Sequence, residues 1–329
     1  MSGSPAPIEI SVIVPAYNRA ALLSRLLDSL AGQKGAPPWE VIVVDDASTD
    51  ATETTVATWA AAHPEIACRY VRQDVNQGPG SARNRGAEAA RGRWVAFTDT
   101  DCVADLRWLA GLYAAVRANP EAVGAGGPVK PHNRDNLYAI YNTVNATLTP
   151  IVFEDHPIPY LVTCNCLYRR DALLEAGGFT ADIGTPGGED VAASIALYKR
   201  GLRFAYAESA LIHHDYRDTW RSFVRTWTNY GYGCGLVTHR LLTQEELHPE
   251  WGRHGGENYW GVQSVRPTVT GVRSFFWDLR WFHGQCAPYG VRSVRRLQLM
   301  GLRIVERLSY YRGWRRGVKQ AERERREAR

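Results

Sequence analysis

The chain has 329 residues, 45% of them apolar and 22% charged, which suits a globular fold with a sizeable core and excludes a largely disordered one. Its net charge of +5 is unevenly distributed: residues 291–329 hold 13 basic and 4 acidic side chains, and the remainder is mildly acidic. A nucleic-acid binder that is basic throughout is thereby excluded. Residues 8–15 (IEISVIVP) form a β-branched run of the kind a buried parallel strand requires. Leu22, Leu23, Leu26, Leu27 and Leu30 then recur at helical spacing up to Gly32. A strand over 41–44 runs into Asp45 and Asp46, and a helix over 52–62 stops before Pro64. A strand over 66–72 precedes a glycine-containing turn and a helix over 80–90, and a strand over 94–98 runs into Asp99-Thr100-Asp101. This alternation predicts an α/β fold, a mostly parallel sheet flanked by helices on both faces. Residues 106–210 continue as α/β with longer loops, and beyond Trp220 the pattern turns to helices rich in Trp, Tyr and Arg, interrupted by a polar stretch over 244–263.

No run reaches 18 consecutive apolar residues, so no bilayer-spanning helix is expected. The opening Met1-Ser-Gly-Ser-Pro lacks a signal-peptide pattern, which leads to the expectation of a cytoplasmic protein. The six cysteines are scattered. Cys164 and Cys166 are the only close pair, a poor zinc pattern, and free buried thiols are expected.

Three polar groups, Tyr17-Asn18-Arg19, Asp45-Asp46 and Asp99–Asp101, follow the carboxyl ends of successive strands, the edge where open α/β sheets bind ligands. Asp99 and Asp101 can together offer oxygens to one hard divalent cation, Mg²⁺ or Mn²⁺, which would neutralise charge on a departing diphosphate. Such a pair is unspecific by itself. Glu189-Asp190 follows two glycines and opens a helix that runs to Arg200. Acids there suit the helix dipole, so a structural and a reactive reading both stand at this point.

Taken together, residues 11–19 (SVIVPAYNR), 43–50 (VVDDASTD), 76–86 (NQGPGSARNRG), Asp99-Thr-Asp101, Asn165 within 164–170 (CNCLYRR), 177–179 (GGF) and 188–190 (GED) resemble the family 2 glycosyltransferases in order and spacing. The resemblance implies the GT-A fold, a nucleotide-diphosphate sugar donor (UDP-, GDP- or dTDP-linked), Mg²⁺ or Mn²⁺, and inversion at the anomeric carbon. It spans about residues 10–215 and leads to the expectation of a catalytic domain over 1–215, with a nucleotide-sugar half over 8–101 and an acceptor half over 102–215; the helix pattern beyond Trp220, on which the resemblance says little, makes 216–329 a helical C-terminal extension. By the same resemblance Pro15, Ala16, Tyr17 and Arg19 line the base and ribose, and Asp45 or Asp46 hydrogen-bonds the base. Arg83 lies near the base or diphosphate in a loop opened by Gly78 and Gly80, and Asn165 belongs to the nucleotide-sugar site. Asp99 meets ribose or metal, and Asp101 meets metal and diphosphate. Asp190 is the general base, Glu189 positions the acceptor, and His213 or His214, with His214 preferred, reaches the metal.

A neutral hydroxyl needs a base whereas a phosphate acceptor is already an anion, so this acidic pair favours a hydroxyl acceptor, carried by a cell-envelope glycan, a lipid-linked saccharide or a secondary metabolite. Trp277-Asp-Leu-Arg-Trp281 departs from the Q-x-x-R-W of processive synthases, which argues for single-sugar transfer. A sugar-nucleotide pyrophosphorylase would need a glycine-rich triphosphate loop after the first strand, where Pro-Ala-Tyr-Asn-Arg stands instead. A catalytically silent binding module would be expected to have lost Asp101 or Asp190. In the tail, Val291, Val294, Leu297, Gly301, Ile304, Val305 and Leu308 trace one helical face, with Arg292, Arg295, Arg296, Arg303 and Arg307 largely elsewhere. Three readings stay open for it: peripheral contact with the inner face of a membrane, packing on the chain's own catalytic domain, and a homodimer; single-stranded nucleic acid is not expected as a partner, because stacking platforms normally sit in a groove of the folded domain.

Overall fold

The computed structural model describes residues 7–150, 160–183, 187–242, 280, 282–289, 291 and 293–327. The polar stretch over 244–263 lies outside them, as does Trp277–Trp281 apart from Arg280. The chain divides into two compact units, Met1–Lys130 with Leu148–Gly184 and Glu189–His214, and Pro131–Thr147 with Thr185–Gly188 and Asp215–Arg329.

The first unit opens with β1 (Ile10–Ala16), α1 (Ala20–Ala31), β2 (Trp39–Asp45), α2 (Thr52–Ala62), β3 (Ala67–Arg72), α3 (Pro79–Ala89) and β4 (Trp94–Phe97). These follow the expected elements closely, because hydrophobic period and local stop signals agree at every step. The chain continues through β5 (Cys102–Ala104), α4 (Trp108–Ala118), β6 (Ala122–Gly126), β7 (Val129–Pro131) and α5 (Leu137–Val144), the last of these in the second unit. Then come β8 (Cys166–Arg169), α6 (Arg170–Glu175), α7 (Glu189–Lys199), β9 (Arg203–Tyr206) and β10 (Ile212–His214).

Seven strands form one sheet in the order β3-β2-β1-β4-β8-β6-β9. All its pairings are parallel except the two that β8 makes with β4 and β6. β1 lies inside it, with Ile13 registered against Ile42 on one side and Phe97 on the other. Ile10, Val12, Ile13 and Val14 are all fully buried, which explains a continuous apolar run rather than an alternating one. α1 buries Leu23, Leu26, Leu27 and Leu30, its one leucine face. Gly86 lets α3 settle onto Ile13 and Val44, where a methyl would overlap the isoleucine side chain. Phe97, Tyr168, Phe179 and Phe204 close the core through edge-to-face contacts. A second sheet, β5-β10-β7, sets His214 opposite Cys102.

The second unit is helical, built on α5, α8 (Trp220–Leu241) and α9 (Ser293–Glu327). Tyr141, Phe223, Trp227, Phe282, Leu299 and Leu302 form its core. Glu306 is buried there and accepts hydrogen bonds from Tyr141 at 3.0 Å and Arg303 at 3.0 Å. α8 and α9 meet through glycines. A methyl on Gly231, Gly235, Gly313 or Gly317 would collide with backbone of the opposite helix, at Tyr310, Trp314, Thr228 and Tyr232 respectively. Of the face traced in the tail, Val291 is buried, yet Val294 (72%), Leu297 (71%) and Leu308 (64%) are exposed. The packed face of α9 is instead Leu299, Leu302, Glu306, Ser309, Gly313, Gly317 and Ala321, so small and polar residues, not the branched aliphatic stripe, make the close helix contact.

Candidate active site

The site grows from the loops after β1 and β2, both inside the first unit. Asn18 (φ 53°) and Ala47 (φ 64°) adopt the left-handed conformation, and the two loops are stitched together through them. The Asn18 N–H donates to Ser48 Oγ at 2.9 Å, and Asn18 Oδ1 accepts from the Thr49 N–H at 2.8 Å. Arg19 supplies no cap to α1, and Asp50 of the neighbouring loop does so, accepting from the Ala20 N–H at 3.0 Å. Burial opposes the charge on Asp50, but the Thr52 and Ala20 donors outweigh it and hold the carboxyl below its usual range. Pro15 and Ala16 end the strand, and Tyr17 and Arg19 stand exposed at its carboxyl end.

Asp45 and Asp46 are buried, and both are engaged inside the protein. Asp45 accepts from the Ser48 N–H at 2.8 Å, from Tyr70 Oη at 2.5 Å and from Arg72 Nη1 at 2.5 Å. Burial and this carboxylate together push the Tyr70 phenol up to about 12. Asp46 accepts from Gln73 Nε2 at 2.6 Å and from the N–H groups of Gln77 and Gly78, each at 2.8 Å. Asp46 thus fixes the loop from which α3 springs, with Gly78 at φ 87° and Pro79 in the first helical turn. Gly80 is small because the Thr180 carbonyl approaches within 2.8 Å of where its methyl would sit.

α3 delivers Arg83 into the interior, where it is 3% exposed. Its Nη2 donates to Asp99 Oδ1 at 2.8 Å and its Nη1 to Glu189 Oε1 at 2.9 Å, so one guanidinium bridges the end of β4 and the start of α7. Burial disfavours the arginine's charge, yet the Asp99 and Glu189 carboxylates more than compensate and raise its pKa. Its Nε is buried and finds no partner among the described residues. Phe179 lies beneath, its ring centroid 6.0 Å from the guanidinium carbon. Beside Glu189, Asp190 accepts from the Val191 N–H at 2.8 Å. Enclosure by protein and the Glu189 charge push its carboxyl from 3.8 up to about 7, with helix-end donors and Arg83 opposing.

Asp101 and His214 meet across the small sheet, with Asp101 Oδ1 3.3 Å from His214 Nε2. Ligand atoms of Asp101, Cys102 and His214 lie within 4.8 Å of one another. Burial raises the Cys102 thiol well above its usual pKa, with a hydrogen bond to Cys164 assisting; a hard cation would draw on the Asp101 carboxylate and the His214 imidazole ahead of this soft sulfur. That set suits a hard or borderline divalent cation such as Mn²⁺ or Mg²⁺. All six cysteines are free, and all but Cys68 are buried.

Asn165 is 1% exposed and its amide is fully used. It accepts from Trp108 Nε1 at 2.8 Å and donates to the carbonyls of Pro128 at 2.9 Å and Ala210 at 2.8 Å. Its contacts tie α4 to the segments that precede β7 and β10. The structure therefore brings Arg83, Asp99, Glu189 and Asp190 together, pairs Asp101 with His214, and spends Asp45, Asp46 and Asn165 on internal bonds. Asp50, Gln73, Trp108 and Phe179 support these groups; Asp50 and Phe179 lie within the motifs 43–50 and 177–179, whereas Gln73 and Trp108 carry no signal in the sequence.

The chain resembles known proteins in both sequence and fold. Over 232 residues the chain is 29% identical to the pre-mycofactocin glycosyltransferase of Mycobacterium tuberculosis, covering 69% of this chain and 47% of that protein. Over 224 residues it is 40% identical to validoxylamine A glucosyltransferase of Streptomyces hygroscopicus subsp. limoneus, covering 59% of this chain and 48% of the other. The chain spans about half the length of these curated relatives. Among solved structures it is similar to mannosyltransferase PcManGT from Pyrobaculum calidifontis in complex with GDP-Man and Mn²⁺, at TM-score 0.59 and 19% identity, covering 93% of this chain and 89% of that one. It is also similar to S. aureus TarS 1-349 in complex with UDP, at TM-score 0.51 and 20% identity, covering 98% and 92%. These two likenesses show the GT-A fold. The model of Glycosyl transferase family 2 matches residues 11–177, over half of the chain, and together with the sheet edge and its carboxylates this places the protein in that family: it is a family 2 glycosyltransferase.

Proposed function

We propose that the enzyme transfers one sugar, with inversion and with the help of Mg²⁺ or Mn²⁺, from a nucleotide-diphosphate sugar to a hydroxyl acceptor. The observation that carries this reading is the Arg83 bridge between Asp99 and Glu189, with Asp190 beside it at a pKa of about 7. A base works best when its pKa lies near the working pH, and burial brings Asp190 there. In the proposed step Asp190 takes the proton of the acceptor hydroxyl, the acceptor oxygen bonds to the anomeric carbon, and the bond from that carbon to the diphosphate breaks with both electrons leaving on oxygen. Glu189 and Arg83 hold the base in place, and Glu189 orients the acceptor.

On the donor side, Tyr17 and Arg19 are the exposed groups at the end of β1, suited to base and ribose, while Asp45 and Asp46 set the shape of that pocket through the loops they brace. Asp101 and His214, with Asp99, would hold the divalent ion. When bound, that ion neutralises charge developing on the diphosphate. UDP-, GDP- and dTDP-sugars are the candidate donors. Complexes of the similar structures with GDP-Man and with UDP support a nucleotide donor in general.

The decisive variant is Asp190→Asn. It keeps shape and removes the base, so transfer should fall by about 10²–10⁴-fold, while donor affinity by calorimetry stays within about twofold of wild type. Donor affinity lost in parallel with transfer would make Asp190 part of the nucleotide site and sink the assignment.

A further inference from the structure

We propose that the outward face of α9 is a docking surface for anionic lipid bilayers. The surface belongs to the second unit alone and does not depend on the transfer chemistry. It is built in two stretches along one side of the helix. Val294, Leu297, Gly301, Ile304 and Leu308 come first, at spacings of three and four residues that keep them on one stripe. Val294, Leu297 and Leu308 are each more than 60% exposed, although they are the residues a globular helix would ordinarily turn inward. Continuing at the same spacing, the stripe becomes Arg312, Arg315 and Lys319, all exposed. Tyr289, 53% exposed, precedes the apolar end in the chain.

The inward side of α9 is already occupied: its glycines and Leu299 and Leu302 are packed in the unit's interior. The outward stripe therefore does not stabilise this unit. Charge identifies its occupant. Between residues 293 and 321 the only acid is Glu306, and it is buried against Arg303 and Tyr141. Among the described residues of 293–321, the exposed side chains thus include cations and no carboxylate. Two copies placed face to face would bring like charges together without partners, which disfavours a dimer through this stripe. Nucleic-acid phosphates would satisfy the cations and leave the leucines and valine in water. An anionic bilayer satisfies both, with aliphatic side chains in the acyl boundary, cations at the headgroups and a tyrosine at the interface.

The test is co-sedimentation of the full chain with sucrose-loaded vesicles, of phosphatidylcholine alone or with a quarter of the lipid replaced by phosphatidylglycerol. Binding is expected on the anionic vesicles, at least about tenfold stronger than on neutral ones, and falling as salt is raised. The triple variant Val294→Glu, Leu297→Glu, Leu308→Glu should weaken that binding by more than about tenfold. Arg312→Gln, Arg315→Gln and Lys319→Gln should each cost up to about fivefold. All six side chains are exposed, so thermal unfolding and circular dichroism should stay at wild-type values. The proposal is overturned if anionic vesicles capture no protein, if neutral vesicles capture as much, or if neither set of variants alters capture. It is equally overturned if sedimentation equilibrium shows a dimer that Leu297→Glu dissolves, because the stripe would then be a subunit interface.

Discussion

A single guanidinium, that of Arg83, joins two carboxylates of the candidate site. It is buried between Asp99 and Glu189, residues 16 and 106 positions away in the chain. Asp190 feels the remainder: enclosure and the Glu189 charge raise its pKa to about 7. As the proposed base it must be ionised, so kcat/KM for the acceptor should fall as pH drops through about 7. Glu189→Gln removes the repelling charge and leaves Arg83 to favour the ionised form, so the acid limb should move to lower pH. A limb that stays in place would exclude Asp190 as the titrating group. The sign for stability is opposite. A carboxyl raised from 3.8 to about 7 is held more easily protonated, so its ionisation costs fold stability as pH rises across that window. The sequence located every one of these residues, but not their partners. Asp45 and Asp46 show why: Tyr70 and Arg72 in β3, and Gln73 just past its end, engage them, and only the β2–β3 register brings them near.

At the scale of elements, the first hundred residues were legible because strands are announced by short β-branched runs that end in polar residues, and the first two helices are followed by Gly32 and Pro64. The contact of α8 with α9 was not, since Gly231 and Gly313 read alone as weak points in helices. Their function exists only in the pair, where each leaves room for the opposite backbone. Two alanine substitutions separate these roles. Gly231→Ala, which meets the Tyr310 carbonyl, should destabilise the protein by about 3 kcal/mol or more. Gly301→Ala, in the same helix pair but with open space around it, should stabilise by about 0.5–1 kcal/mol. Calorimetric melting of both variants checks the contrast, and equal shifts would mean that helix propensity, not backbone approach, governs these sites. The outward stripe of α9 was visible as a periodicity, but its direction was not, because apolar period alone does not say which side of a helix finds a neighbour.

Across the whole molecule, charge is sorted by purpose. The mildly acidic body contains carboxylates that either brace loops, as Asp45, Asp46 and Asp50 do, or gather around a cation and a diphosphate, as Asp99, Asp101, Glu189 and Asp190 are proposed to do. The basic excess lies in the C-terminal stretch, with its exposed cations on α9. If the acidic cluster is the donor site, Mn²⁺ with a cognate nucleotide sugar should raise the melting temperature. Ligand at a hundredfold over Kd contributes about 2.7 kcal/mol, equivalent to at least about 2 °C per kcal/mol in a domain of this size. In Asp101→Ala the part of that rise that depends on Mn²⁺ should vanish. An undiminished Mn²⁺-dependent rise would place the ion elsewhere.

The antiparallel strand β8 also bears on how the chain reaches this state. Strands β3, β2, β1 and β4 can pair as soon as residue 97 has been made, but β4 then ends the sheet with a bare edge of four fully apolar residues. Its partner in the finished sheet is β8, some 70 residues further on, and β6, made earlier, waits on the same strand. Synthesis order and spatial order therefore part company at the middle of the sheet. A nascent chain between these two points carries an adhesive edge that must be kept from other chains until Cys166–Arg169 slots in.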